Sequence, residues 1–159
     1  MATILLMMFA AMCAAMCLNF AGGYGLRDAN LKATKALPNG QANVVSTGMS
    51  IGETIKADLV AGVEFLLTAP ALTVAQLGNA DTMTYDVLIS PNANMSNPVT
   101  VNAAVIVQTG ANGAGAVAAT YRFRLPSNIG ASGTYLAIKA TNSSAKDTSA
   151  ASLTLEALL

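Results

Sequence analysis

Apolar and polar side chains alternate with a period of two along most of the chain after residue 42. In the segment TMTYDVLIS, residues 82–90, the apolar side chains that share one face are those of Met83, Tyr85, Val87 and Ile89. The same alternation occurs at residues 62–69, 119–125, 134–141 and 149–158. This pattern is typical of antiparallel strands that bury one face against a core.

Two further segments are rich in β-forming residues, NVVSTGMSI at 43–51 and VTVNAAVIVQT at 99–109. Clusters of Pro, Gly, Asn and Ser separate the segments, and no extended helical periodicity follows residue 30. The sequence therefore predicts an all-β fold, an antiparallel β-sandwich or jelly roll of about seven to eight strands. We expect this domain to span residues 42–159, with a linker at 27–41.

The first 26 residues differ from the rest, because no charged side chain occurs before Arg27 and residues 4–20 are apolar except for Asn19. A helix of this length approaches the thickness of a bilayer core. Four interpretations are open: a helix or arm packed against partner subunits, a signal peptide, a membrane anchor, or an extension from an upstream start codon. A missing basic flank argues against the signal peptide and the anchor. The packed helix or arm is therefore the favoured interpretation.

Catalytic chemistry is hard to assemble from these residues. The chain has no histidine, and its two cysteines, Cys13 and Cys17, both lie in the apolar segment. This excludes Ser-His-Asp and Cys-His constellations and a zinc site built from Cys and His. The glycine-rich GANGAGA at 110–116 precedes a strand and does not open a helix, so we interpret it as a flexible hairpin loop, not a dinucleotide site. We predict no catalytic, cofactor-binding or metal-binding residues, and no enzyme activity.

Charge is scarce and balanced. Charged residues make up 10% of the chain, against about 25% in ordinary soluble domains, and the net charge is zero. A neutral chain has no long-range field that attracts nucleic acid, so we expect no direct nucleic-acid binding. Low charge also favours association with other proteins.

Arg122 and Arg124 stand out in the segment ATYRFRL, where Tyr121, Phe123 and Leu125 form the apolar phase. Both guanidinium groups are then expected on the outer face of one strand. They either form a solvated face, paired with an acid on a neighbouring strand, or anchor an interface through bidentate contacts with carboxylates.

Several segments, taken in order, resemble the small cement, or head decoration, proteins of tailed bacteriophages. They are VVSTGMSIG, EFLLTAPAL, TMTYDVLIS, YRFRLPSNI, YLAIKAT and AASLTLEAL, and the similarity covers residues 26–159. The resemblance implies a jelly-roll protein on the outer surface of the virion capsid. It also implies a homo-oligomer, commonly a trimer, that clamps neighbouring subunits of the major capsid protein. The apolar segment at 1–25 departs from that pattern.

On this interpretation the loops at 91–98 and 126–133 are natural contact points. The candidate interface residues are Arg122, Arg124, Asn92, Asn94 and Asn128. No cofactor and no membrane are expected as partners. The alternative function is a membrane-anchored or secreted β-sandwich surface protein, such as an adhesin or a pilin-like subunit.

Overall fold

A computed structural model describes residues 32–46, 48–50, 63–125 and 135–158. Within these ranges the chain forms nine strands in two antiparallel sheets. The strands are β1 (Lys32–Ala36), β2 (Asn43–Val45), β3 (Met49–Ser50), β4 (Glu64–Ala69), β5 (Thr82–Ser90), β6 (Val99–Thr109), β7 (Ala119–Arg124), β8 (Tyr135–Asn142) and β9 (Ser152–Leu158). The predicted all-β antiparallel sandwich is confirmed.

The strand order is that of a jelly roll. The first sheet has the order β1-β9-β4-β7, and the second has the order β2-β8-β5-β6, with β3 also paired to β8. If β2 and β3 count as one interrupted strand, the pairing is nested along the sequence. β1 pairs with β9, the β2–β3 strand with β8, β4 with β7, and β5 with β6. These eight strands, divided between two sheets of four, have the jelly-roll arrangement.

The core lies between the sheets and is built from the apolar phase of each strand. Phe65 and Leu67 of β4 are fully buried, as are Met83 and Tyr85 of β5. Phe65 lies directly opposite Phe123 of β7, and their rings stack with centroids 5.5 Å apart. The alternation thus predicted the inward face of these strands correctly, because one face of each sheet must be buried away from water.

The interruption between β2 and β3 has a local cause at Ser46. A single strand was predicted across 43–51, but the buried hydroxyl of Ser46 accepts a hydrogen bond from the backbone amide of Ile138 at 3.0 Å. The backbone amide of Ser46 in turn donates to the carbonyl of Ile138 at 2.9 Å. A side chain therefore takes the place of a backbone acceptor at this point of the ladder.

Strand β1 was not among the predicted strands and lies within the predicted linker at 27–41. It pairs along its length with β9, and Ala33 and Leu37 belong to the core. The strand was not recognised in the sequence, because Lys32 and Lys35 make it resemble a solvated linker. The predicted N-terminal helix or arm at 1–26 lies outside the described residues.

The loop after β5 covers part of the outer face of the second sheet. Met95 of this loop packs with Leu88 of β5 and Ala137 of β8, and all three are buried. This small second core explains why Leu88 is buried although it lies on the outward phase of its strand. Gly48 fits closely beneath it, since a Cβ atom there would lie 3.1 Å from the sulfur of Met95.

The side chain of Gln108 stabilises one end of the sandwich, the end that includes residues 70–81 and 110–118. Its side-chain Nε2 donates to the carbonyls of Pro70 and Val117 at 2.8 and 2.7 Å, and its Oε1 accepts from the hydroxyl of Tyr85 at 2.9 Å. Gln108 is buried, and burial also raises the pKa of Tyr85. The amide thereby links β5 and β6 of the second sheet to the residues that flank β4 and β7 of the first sheet, through satisfied polar groups.

The glycine-rich segment at 110–116, predicted as a flexible loop, packs closely against the chain that follows β4. Leu72 and Ala116 exchange backbone hydrogen bonds, each 2.8 Å long. Gly115 has a φ of +71°, and a Cβ atom there would lie 2.1 Å from the carbonyl oxygen of Leu72. The glycine is required by both the conformation and the space.

Candidate functional site

Arg122 and Arg124 lie on the outer face of the first sheet, as the sequence predicted. In the β4–β7 pair, Arg122 is opposite Leu66 and Arg124 is opposite Glu64. Both arginines are exposed, whereas Phe123 between them is buried. Because β7 is an edge strand of its sheet, the two guanidinium groups stand at the rim of this face.

The charges on this face are partly paired with one another. Nη1 of Arg122 lies 3.4 Å from Oε2 of Glu64, and Nζ of Lys32 lies 2.9 Å from Oε1 of Glu156. The side chain of Arg122 is 63% exposed, so its ion pair is screened by water and adds little to stability. Arg124 forms no ion pair with another described residue. Arg122 and Arg124 can therefore contact carboxylates of another molecule at small cost to the fold.

One row of this face is small and polar, and the next row is made of longer side chains. The registers of three strand pairs place one threonine of each strand in a single row across the sheet, namely Thr34, Thr154, Thr68 and Thr120. The next row contains Lys32, Glu156, Leu66 and Arg122. The threonine row has short side chains with little entropy to lose, which suits close contact with another protein surface.

Asn92 and Asn94 are exposed in the loop at 91–98, but their side chains also hold the loop together. Oδ1 of Asn94 accepts from the backbone amide of Ser96 at 3.0 Å, and Nδ2 of Asn92 donates to the carbonyl of Ser96 at 3.4 Å. Ser90 adds a 2.7 Å bond from its hydroxyl to the same carbonyl. The asparagines therefore fix the shape of a candidate contact loop, a role that the sequence did not reveal.

Asn128 lies outside the described residues, so its position relative to the other candidates stays a prediction. The start of β8, the strand that follows its segment, lies beside the loop at 91–98. Ser90, at the end of β5, is opposite Tyr135, at the start of β8. β6 and β8 both begin at this end of the sandwich, where β5 ends. The chain returns along β7 between them, so Arg124, the last residue of β7, also lies at this end.

No group of three or more Cys, Asp or Glu side chains among the described residues is placed to hold a metal ion. The one buried hydroxyl–amide pair described above, Tyr85 with Gln108, is fully engaged in holding the fold. Within the same ranges, no helix has the length and apolarity needed to cross a membrane.

One surface was missed at the level of sequence. No charged residue occurs from Val87 to Tyr121, a stretch that contains all of β6 and the start of β7. The part of this stretch at 99–120 forms one side of the sandwich, where the edges of the two sheets meet. The absence of charged residues over this long stretch of the sequence was the signal that could have revealed the surface.

Comparison of the sequence with protein-family models and with curated proteins found no match.

Proposed function

We propose that this protein is a structural component of a bacteriophage virion that binds the outer surface of the capsid and stabilises the shell. It would bind between subunits of the major capsid protein, as a homo-oligomer, most simply a trimer. The proposal starts from the resemblance of its strand sequences to cement proteins. The observation that carries it further is the jelly-roll strand order, because this is the fold that the resemblance implies.

The physical demands on a cement protein agree with the surface described above. Such a protein adds buried area across a seam between coat subunits, and each contact is repeated many times around the shell. Rigid contact elements lower the entropic cost of each contact. The loop at 91–98 is held by internal hydrogen bonds and by the buried side chain of Met95.

Arg122 and Arg124 supply the polar part of the proposed contact with the coat. Arginine binds carboxylates in a bidentate fashion and is less strongly hydrated than lysine, which makes it suited to interfaces. Their position at the rim of the first sheet supports this role, because exposed side chains there can contact another protein without any movement of the core. Asn92, Asn94 and Asn128 remain candidate contacts from the loops.

The proposal is tested with purified phage particles and with particles that lack this protein. We expect the intact protein in virions in a fixed ratio to the major capsid protein. Particles without it should release their DNA at a lower temperature, and added protein should restore the release temperature. Its absence from virions, together with recovery from a membrane or secreted fraction, would overturn the proposal and favour the surface-protein alternative.

A further inference from the structure

The side of the sandwich formed by residues 99–120, here named the charge-free edge, is unusual in its exposed side chains. It comprises β6, the loop at 110–118 and the first two residues of β7. Val99 and Val107 are each 52% exposed, and Val117 is 83% exposed. No charged side chain lies within this edge.

The other sheet edges of the described structure are protected in ways that β6 is not. An open edge strand is prone to pair with another chain, and proteins usually protect it with charges, with bulges or by keeping it short. Strand β1 carries Lys32 and Lys35, strand β7 carries Arg122 and Arg124, and β2 and β3 have three and two residues. Strand β6 has eleven residues, none of them charged.

Bulges modify β6 without adding charge. Between Tyr85–Ile106 and Val87–Asn102 the register shifts, and the backbone amide of Ala104 donates to Oδ1 of Asp86 at 2.8 Å. Ala104 has a φ of +50°, so the ladder is interrupted near the middle of the strand. The bulge makes a continuous intermolecular sheet unfavourable and leaves side chains as the means of contact.

We propose that the charge-free edge is the surface through which copies of this chain associate, each meeting the same edge of another copy. An uncharged surface is complemented by an uncharged surface, because a charged partner would bury ions with no counter-ion. The same edge of a second copy meets this condition throughout its length. Since the net charge of the chain is zero, two copies also experience no long-range repulsion.

The dimensions of the edge suffice for such a contact. Because the bulges set the eleven residues of β6 opposite only eight residues of β5, the strand extends about 27 Å, and two sheets about 10 Å apart with their outward side chains give a width of about 20 Å. Two footprints of about 540 Å² bury about 1,080 Å² in total, slightly more than the roughly 1,000 Å² that a specific interface needs. A two-fold axis would pair two such edges, and a three-fold axis would bring three of them together.

This inference rests on the proposed function in one respect, namely that copies of the chain form a homo-oligomer. The inference can fail while the proposed function holds. The experiment is sedimentation velocity on the full chain, without particles, over a wide range of protein concentration. We expect concentration-dependent association of the unchanged chain. The Val107→Lys/Val117→Lys variant should associate at least about tenfold more weakly, because each contact would bury unpaired charges.

Ala36→Lys is the control, since it adds a lysine at an exposed position of β1, the opposite edge of the first sheet. It should associate like the unchanged chain. The inference is overturned if the unchanged chain stays monomeric throughout, if Val107→Lys/Val117→Lys associates normally, or if Ala36→Lys weakens association equally. Particle binding by the same variants tests the proposed function independently.

Discussion

Glu64 lies directly opposite Arg124 in the β4–β7 pair, yet its carboxylate contacts Arg122, at 3.4 Å. The contact is therefore diagonal, between positions two residues out of register on the same face. Diagonal neighbours remain within reach of long side chains. One acid thus stands beside two arginines, and this imbalance leaves positive charge at the rim of the first sheet.

Replacement of both arginines, Arg122→Ala with Arg124→Ala, is expected to weaken attachment to capsids while leaving the fold nearly unchanged. Because both side chains are exposed, the free energy of unfolding should change by no more than about 0.5 kcal/mol. Denaturant unfolding measures the stability, and the amount bound per particle measures attachment. Lys35→Ala with Lys139→Ala removes the same charge away from the outer face of the first sheet and should bind normally. Full occupancy by the arginine variant would leave these residues as a solvated face.

The glycine-rich loop offers a matched pair of substitutions. Gly113 and Gly115 have φ values of +79° and +71°, but a Cβ atom at Gly113 would meet nothing within 4 Å. Gly113→Ala should therefore cost only the backbone strain, about 1 kcal/mol. Gly115→Ala adds a clash with the carbonyl of Leu72 and should cost about 3 kcal/mol or more. Equal losses in thermal unfolding would contradict the close packing described for this loop.

The sequence predicted most strands because their apolar residues follow a strict period of two. It predicted β5 and β6 with their observed ends, and the outward position of Arg122 and Arg124 followed from the buried residues between them. Strand β1 escaped prediction because an edge strand with lysines resembles a linker.

Other features depend on contacts between distant residues, which no local pattern encodes. Leu88 occupies an outward phase, and only the return of Met95 over the sheet buries it. The hydrogen bonds of Asn92 and Asn94 depend on the exact turn of their loop. The charge-free edge could have been found from the spacing of charges, but its place at an open edge required the strand order.

The polar link between Tyr85 and Gln108 is expected to behave as one energetic unit. Tyr85→Phe leaves Oε1 of Gln108 without its donor and should cost about 1 kcal/mol. Gln108→Ala removes the bonds to Pro70 and Val117 as well and should cost about 3 kcal/mol. In the double variant the losses should fall short of additivity, by about 0.5 kcal/mol or more. Strict additivity in denaturant unfolding would show that the two side chains act independently.

The same tyrosine makes stability fall at high pH. Burial raises the pKa of Tyr85 in the folded protein, whereas the unfolded chain releases this proton near the ordinary value of about 10. Above about pH 10 the unfolded state therefore binds fewer protons than the folded state, and stability is lost as pH rises, by up to about 1.4 kcal/mol per pH unit. Below pH 10 both states keep the proton, so this contribution is constant there. Tyr85→Phe lacks the group, and the stability advantage of the unchanged protein over this variant should shrink as pH rises above 10. A constant difference between the two proteins across the alkaline range would mean that the hydroxyl of Tyr85 ionises as readily in the folded chain as in the unfolded one.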